Sequence, residues 1–194
     1  MATDFKDADE FKQFIDITKR QLPVSFRVNP VYPNYQKLVS MLEDKDMLFS
    51  YFLNPGDITK EDVQDFIEKY DTDLSNIKFE KAEWYPSGLV YVLNMSKHGL
   101  KKAKALKKFH RLIQISNDCG LLTRQECVSM LPPLFLNVQK DDLVLDMCAA
   151  PGSKTSQILE LFAAEKKLGS LETLLTGGVV ANDMNKKRAY MLTH

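Results

Sequence analysis

Leu143-Val-Leu-Asp-Met-Cys-Ala-Ala-Pro-Gly-Ser-Lys-Thr155 reads as a strand, a tight turn and the start of a helix. Leu143, Val144 and Leu145 form a short apolar run after the polar Gln139 to Asp142 and close on Asp146, as a buried parallel strand would. Ala149 and Ala150 are small, Pro151 fixes the turn, and Gly152 tolerates torsions that side chains exclude, so another molecule can approach the backbone closely. Ser153 is placed to cap a helix that carries Ile158, Leu159 and Phe162. A ligand laid across such a turn meets unpaired helix N–H groups and the positive end of the helix dipole, which suits a carboxylate or a phosphate.

Downstream, Gly178-Val-Val-Ala-Asn-Asp183 reads as a second strand ending in an acid, and an Asp at such a strand tip can accept hydrogen bonds from both hydroxyls of a ribose. A phosphate-binding P-loop needs Gly directly before its Lys and another Gly five residues earlier, where this chain has Ser153 and Cys148. The G-x-G-x-x-G dinucleotide pattern is also missing, which removes support for a nicotinamide cofactor. A nucleoside with a carboxylate at one end fits both features, and S-adenosylmethionine has that form.

Asp146-Met-Cys-Ala-Ala-Pro-Gly-Ser-Lys-Thr155 resembles the cofactor motif of the Nop/Sun family of RNA cytosine-5 methyltransferases. Thr123-Arg-Gln-Glu-Cys-Val-Ser-Met-Leu-Pro-Pro133 is similar to the segment that precedes that motif, and Ala181-Asn-Asp-Met-Asn-Lys-Lys-Arg188 is similar to the ribose-binding motif. Phe26-Arg27 and Trp84-Tyr85-Pro86 resemble the amino-terminal part of the multisite tRNA cytosine-5 methyltransferase branch.

The resemblance implies S-adenosylmethionine-dependent methylation of cytosine C5 in tRNA or another RNA. It implies that the backbone of Cys148, Ala149, Ala150, Pro151, Gly152 and Ser153 holds the methionine portion with help from Lys154. Asp183 would take the ribose hydroxyls, Arg188 would steady that edge of the site, and Asp146 would be a structural acid at the strand end. An inserted loop over Glu165 to Gly177 would explain why Asp183 falls farther after Gly152 than the roughly 20 residues of dinucleotide folds. Because C5 of a pyrimidine is not nucleophilic, a cysteine thiolate must first add to C6. The family's two functional cysteines follow Pro and Thr and lie beyond the second strand of the core. Here Cys119 follows Asp118, Cys127 follows Glu126 and Cys148 follows Met147, so the catalytic residues are expected outside this chain, which alone would be inactive. A noncatalytic RNA-binding module, or a subunit whose core a second chain completes, are the other readings. A nuclear or nucleolar location is implied by the resemblance alone.

The chain has 194 residues, 44% of them hydrophobic, enough to bury a core and to form one domain with part of a second. The expected fold is α/β: an α+β amino-terminal module over residues 1–120, in contact with RNA, then the start of a Rossmann-like methyltransferase core over residues 121–194. Net charge is zero, so no global basic field announces nucleic acid. Three cysteines without metal-ligand spacing favour a reduced intracellular compartment over a disulfide framework and point to no metal. No apolar run is long enough to cross a membrane, and the start lacks the basic and apolar regions of a signal peptide.

Along the chain, a helix is expected from about Ala8 to Arg20 with Phe11, Phe14, Ile15 and Ile17 on or near one face, then an alternating strand from Val24 to Val28. Arg27 reads first as a surface or ion-paired residue and second as an RNA contact. An acidic stretch follows around a helix near Lys60 to Tyr70, with Val63, Phe66 and Ile67 turned inward. Strands are expected at Ile77–Ala82 and Gly88–Asn94; in the turn between them Trp84 and Tyr85 read as packing anchors ahead of base-stacking groups. From Lys97 to Arg111 one helix-like stretch carries Lys97, His98, Lys101, Lys102, Lys104, Lys107, Lys108, His110 and Arg111, a basic face that reads either as a phosphate contact, with Lys101, Lys102, Lys107, Lys108 and Arg111 as its candidates, or as a solvated helix face, over a buried side of Leu100, Ala103, Leu106, Phe109, Leu112 and Ile113. Asn117 to Gly120 should close that helix, Thr123 should cap a short one, and Pro132-Pro133 should stop it.

Overall fold

The computed structural model describes residues 6–44, 48, 59–70, 77–164 and 176–193. Most of the expected inserted loop lies outside them. Helix α1 spans Ala8–Lys19, with the Asp7 side chain accepting from the Glu10 N–H at its start. None of its residues is buried, and Phe11, Phe14 and Ile17 stay exposed. An amphipathic pattern makes such a helix ready to dock, but does not supply the surface that covers it.

Four strands, β1 (Pro23–Val28), β2 (Phe79–Lys81), β3 (Val90–Ser96) and β4 (Leu122–Arg124), form an antiparallel sheet in the order β2-β3-β1-β4. Helices α2 (Tyr35–Glu43) and α3 (Lys60–Tyr70) accompany it, and Phe66 of α3 joins the core while Ile67 remains exposed. Because β4 pairs with Phe26, Arg27 and Val28, the sheet continues past the boundary expected at residue 120. The same pairing places Thr123 in a strand, so it caps nothing; the following helix has Glu126 at its cap position with no side-chain cap bond.

The basic stretch is not one helix. It forms α4 (Lys97–Lys102), a 3₁₀ turn (Lys104–Leu106) and α5 (Lys107–Asp118), broken where Ala103 turns to an extended ψ of 108°. Neither Pro nor Gly sits at the break. It lets Leu100, Ala103, Leu106, Phe109 and Ile113 all reach the core cluster built on Phe26, Tyr91 and Leu93. At its far end Gly120, with φ +78°, donates to Asn117 O while Leu121 N donates to Ser116 O, the paired bonds that end a helix at a left-handed glycine.

Helix α6 (Cys127–Phe135) carries Pro132 and Pro133 inside it, where a stop was expected. Pro133 cannot donate to Ser129 O, and that carbonyl instead accepts from Gln125 Nε2 at 2.9 Å. Strand β5 (Leu143–Asp146), helix α7 (Ser153–Ala164) and strand β6 (Gly178–Ala181) then form a parallel βαβ unit. Ile158 and Phe162 of α7 pack on Val144 and Val179, on one face of this sheet. Leu143, Leu145 and Val180 are exposed by 78%, 59% and 51%, so the strand expected to be buried is covered on one side only among the described residues. A short helix α8 (Lys186–Ala189) follows, capped by Asn185.

The chain enters β6 under tight constraint. Gly177 N donates to Lys140 O, and a Cβ at Gly177 would stand 2.5 Å from Asp142 O, a backbone atom that cannot swing away. Gly177→Ala is therefore expected to lower stability by about 2 kcal/mol, as overpacking does, with a matching drop in the urea midpoint; an unchanged midpoint would refute the close approach.

Candidate functional site

Strand β1 alternates as expected, but both of its faces are buried. Val24, Phe26 and Val28 face the amino-terminal core, while Ser25 and Arg27 turn toward α6 and α7. Arg27 is 1% exposed, which excludes the surface and RNA-contact readings and leaves the ion-paired one. Its Nε donates to Glu160 Oε2 at 2.6 Å and its Nη2 to Glu160 Oε1 at 3.0 Å, a two-pronged pair. Nη1 donates to Gln125 Oε1, and Nη2 also reaches Ser156 Oγ at 3.2 Å and Ser153 O at 3.4 Å. Gln125 in turn donates to Gln157 Oε1, and Gln157, fully buried, donates to Met130 O and to the Tyr85 hydroxyl. Tyr85 is thus a packing anchor, with Trp84 edge-on to it and half exposed.

This network grips the first two turns of α7, which lead out of the quoted loop. The helix begins at Ser153 itself, so the cap position falls on Gly152 rather than on Ser153. Gly152 has φ +108°, a conformation that strains any other residue, and its N–H donates to Ala149 O. The β5–β6 ladder continues into the loop: Asn182 N donates to Asp146 O, and Ala149 N to Asn182 O at 2.8 Å. Asp146 accepts from Thr155 Oγ1 at 2.7 Å, which makes it the acid that ties the strand end to α7.

Asp183 lies at the tip of β6 against the same loop. Its Oδ2 accepts from Ala150 N at 3.2 Å and its Oδ1 from Asn185 N at 3.0 Å. Arg188 donates to Ala150 O at 2.6 Å and stands 3.5 Å from Asp183, so it bridges loop and acid. A carboxylate offers about four acceptor sites, and two backbone donors leave room for two more. The Asp183 side chain is only 4% exposed, beneath a half-exposed Arg188.

Of the other expected site residues, Ala149 and Ala150 are buried, while Cys148 and Pro151 are exposed and Lys154 is half-buried. Lys101 and Lys102 lie on α4 and Lys107, Lys108 and Arg111 on α5, all exposed. Among the described residues no group of His, Cys, Asp and Glu is arranged to hold a metal. Glu160 and Gln157 were not among the expected residues. Their signal was an inverted helix: α7 exposes Leu159 and buries Gln157 and Glu160, which makes sense only if a polar partner waits opposite.

Residues 133–194 match the family described as 16S rRNA methyltransferase RsmB/F. The chain is 34% identical over 96% of its length to the Drosophila melanogaster tRNA (cytosine(34)-C(5))-methyltransferase, of which it spans 23%. It is likewise 34% identical, over 97% of its length, to a multisite-specific tRNA:(cytosine-C(5))-methyltransferase of Schizosaccharomyces pombe, of which it spans 26%. It therefore spans about a quarter of the length of these curated relatives. A solved structure of a methyltransferase homologue from Pyrococcus horikoshii shares the fold over 92% of the chain and 41% of its own, with TM-score 0.52 at 21% identity.

Removing Arg27 strands the Glu160 carboxylate. Arg27→Met should cost about 4 kcal/mol, the usual penalty of an unpaired buried charge, and the further change Glu160→Leu should recover most of it. Burial pushes the Glu160 carboxyl above the ordinary glutamate range and the Arg27 guanidinium pulls it partly back. The folded state thus binds this proton more tightly than the unfolded chain does, so this contribution is whole below the unfolded glutamate range and is lost as pH rises through the raised folded value. Without Arg27 that loss deepens, and the deficit of Arg27→Met measured by urea unfolding should be larger near about pH 8 than near about pH 5.

Proposed function

We propose, since the chain belongs to the Nop/Sun family of RNA cytosine-5 methyltransferases, that it forms the cofactor-holding and RNA-positioning part of an enzyme that methylates C5 of cytosine in tRNA. The observation that carries this reading is the meeting of the 148–153 loop with Asp183, whose Oδ2 accepts from Ala150 N. S-adenosylmethionine, when bound, supplies the methyl group on its sulfonium. This chain's part is to hold and orient it: loop N–H groups at the start of α7 take its carboxylate, aided by Lys154, and Asp183 takes the ribose hydroxyls. Arg188 keeps Ala150 and Asp183 in register.

Attack by C5 needs a thiolate added at C6, which pushes electron density onto C5. Cys119 follows α5 with its Sγ donating to Ser116 O and the Tyr32 hydroxyl beside it, Cys127 opens α6, and Cys148 belongs to the loop; none of the three follows Pro or Thr as the family's functional cysteines do. The thiolate is therefore assigned to a segment outside these 194 residues. A second reading, a subunit completed by another chain, draws support from the bare face of β5 and β6, where Leu143, Leu145 and Val180 call for covering structure. Transfer of labelled methyl groups to tRNA only on addition of a partner chain would select it. A nuclear site of action belongs to the same proposal.

Calorimetric titration with S-adenosylmethionine tests the assignment of Asp183. Asp183→Ala should weaken binding about tenfold or more, since hydrogen bonds to a charged group contribute roughly 1.5–3 kcal/mol. Asp183→Asn, which keeps the shape and one acceptor, should fall between. Equal affinities would remove the ribose role.

A further inference from the structure

A cleft of about 850 Å³ opens where the two modules meet, between the first residues of β1, the start of α4, the β4–α6 connection, Pro151 of the loop, and Ser153 and Lys154 at the start of α7. Its size lies within the roughly 300–1,000 Å³ of ligand pockets. Its walls are cationic: Lys97, Lys101, Arg124 and Lys154 line it, beside His98, against one carboxylate, that of Glu126. In a chain of zero net charge this is a local concentration of positive potential. The neighbouring His110 registers it: burial lowers its proton affinity first, and the charges of Arg124 and Lys101 lower it further. Among the described residues no carboxylate pairs with Lys97, Lys101 or Lys154. Lys102, Lys107, Lys108 and Arg111 do not line the cleft.

We propose that the RNA strand flanking the target base runs through this cleft, its phosphates neutralised by Lys97, Lys101 and Arg124, and that the lysine face of α5 is a solvated surface. The inference rests on the methyltransferase reading above and says where that reaction's substrate lies. Two features select a polyanion. The cations come from three separate elements, α4, β4 and the first turn of α7, so the cleft is positive on more than one wall. The cleft is also lined by Pro151, Ser153 and Lys154, so a strand held here passes beside the proposed cofactor loop. Strand phosphates contribute affinity through counterion release, which this arrangement supplies without a basic chain overall.

The test is a salt titration of binding to fluorescent tRNA and to a single-stranded 12-mer, read by anisotropy, with melting curves to confirm folding. Lys97→Ala/Lys101→Ala/Arg124→Ala should weaken binding about tenfold and flatten the slope of log K against log salt by about 2, at roughly 0.7 for each phosphate no longer neutralised. Glu126→Gln, which removes the one repelling charge, should tighten binding several-fold. Lys102→Ala/Lys107→Ala/Lys108→Ala/Arg111→Ala should bind like the parent. Weakened binding in this last variant, with none in the cleft variant, would overturn the inference and move RNA to α5; unchanged binding in every variant would overturn it also. Absence of RNA binding by the parent protein would instead sink the underlying methyltransferase reading.

Discussion

Arg27 sets the constraint on which the rest depends. A guanidinium buried to 1% exposure is tolerable only where each of its three nitrogens finds an acceptor, and Glu160, Gln125, Ser156 and Ser153 O are those acceptors. All but Gln125 belong to α7. The helix of the βαβ unit therefore has one productive seat on β1, and a slip by one turn would leave a buried charge unpaired. Such a pair adds little net stability over a well-packed apolar contact, but it discriminates strongly among ways of docking. Among the described residues no buried side-chain polar atom is left without a partner, so the network is complete.

The same interaction reaches the proposed site. Arg27 touches the Ser153 carbonyl and the Ser156 hydroxyl from behind, while Arg188 touches Ala150 O from the opposite side. The loop between them is thus held by two arginines from distant parts of the chain, one buried and one half exposed.

Much of this was legible in the residues. The strand, turn and helix at Leu143 to Thr155 follow from an apolar run, two alanines, Pro151 and Gly152, and they form as read, with the helix start shifted by one position. The closing of α5 at Gly120 was equally readable, because only glycine takes φ +78° without strain. Three expectations failed for nonlocal reasons. Thr123 caps in isolation, yet β1 offers it strand hydrogen bonds. Pro132-Pro133 stops a lone helix, yet Gln125 satisfies the carbonyl that Pro133 abandons. The lysine-rich stretch favours one helix, yet the sheet beneath it draws Leu100 and Phe109 in from a bent path.

By itself, the sequence determined the local elements and the chemistry of the loop, because turn geometry and apolar periodicity are properties of neighbouring residues. It also pointed to the family, through the resemblance that Asp146 to Thr155 carry. What only the tertiary structure decided is which polar residues are inside. Arg27, Gln125, Gln157 and Glu160 look like surface groups one at a time, and each becomes a core residue because the others are there to meet its hydrogen bonds. Burial of polar groups is a pairwise condition between segments 32 to 133 residues apart, far beyond the reach of local periodicity.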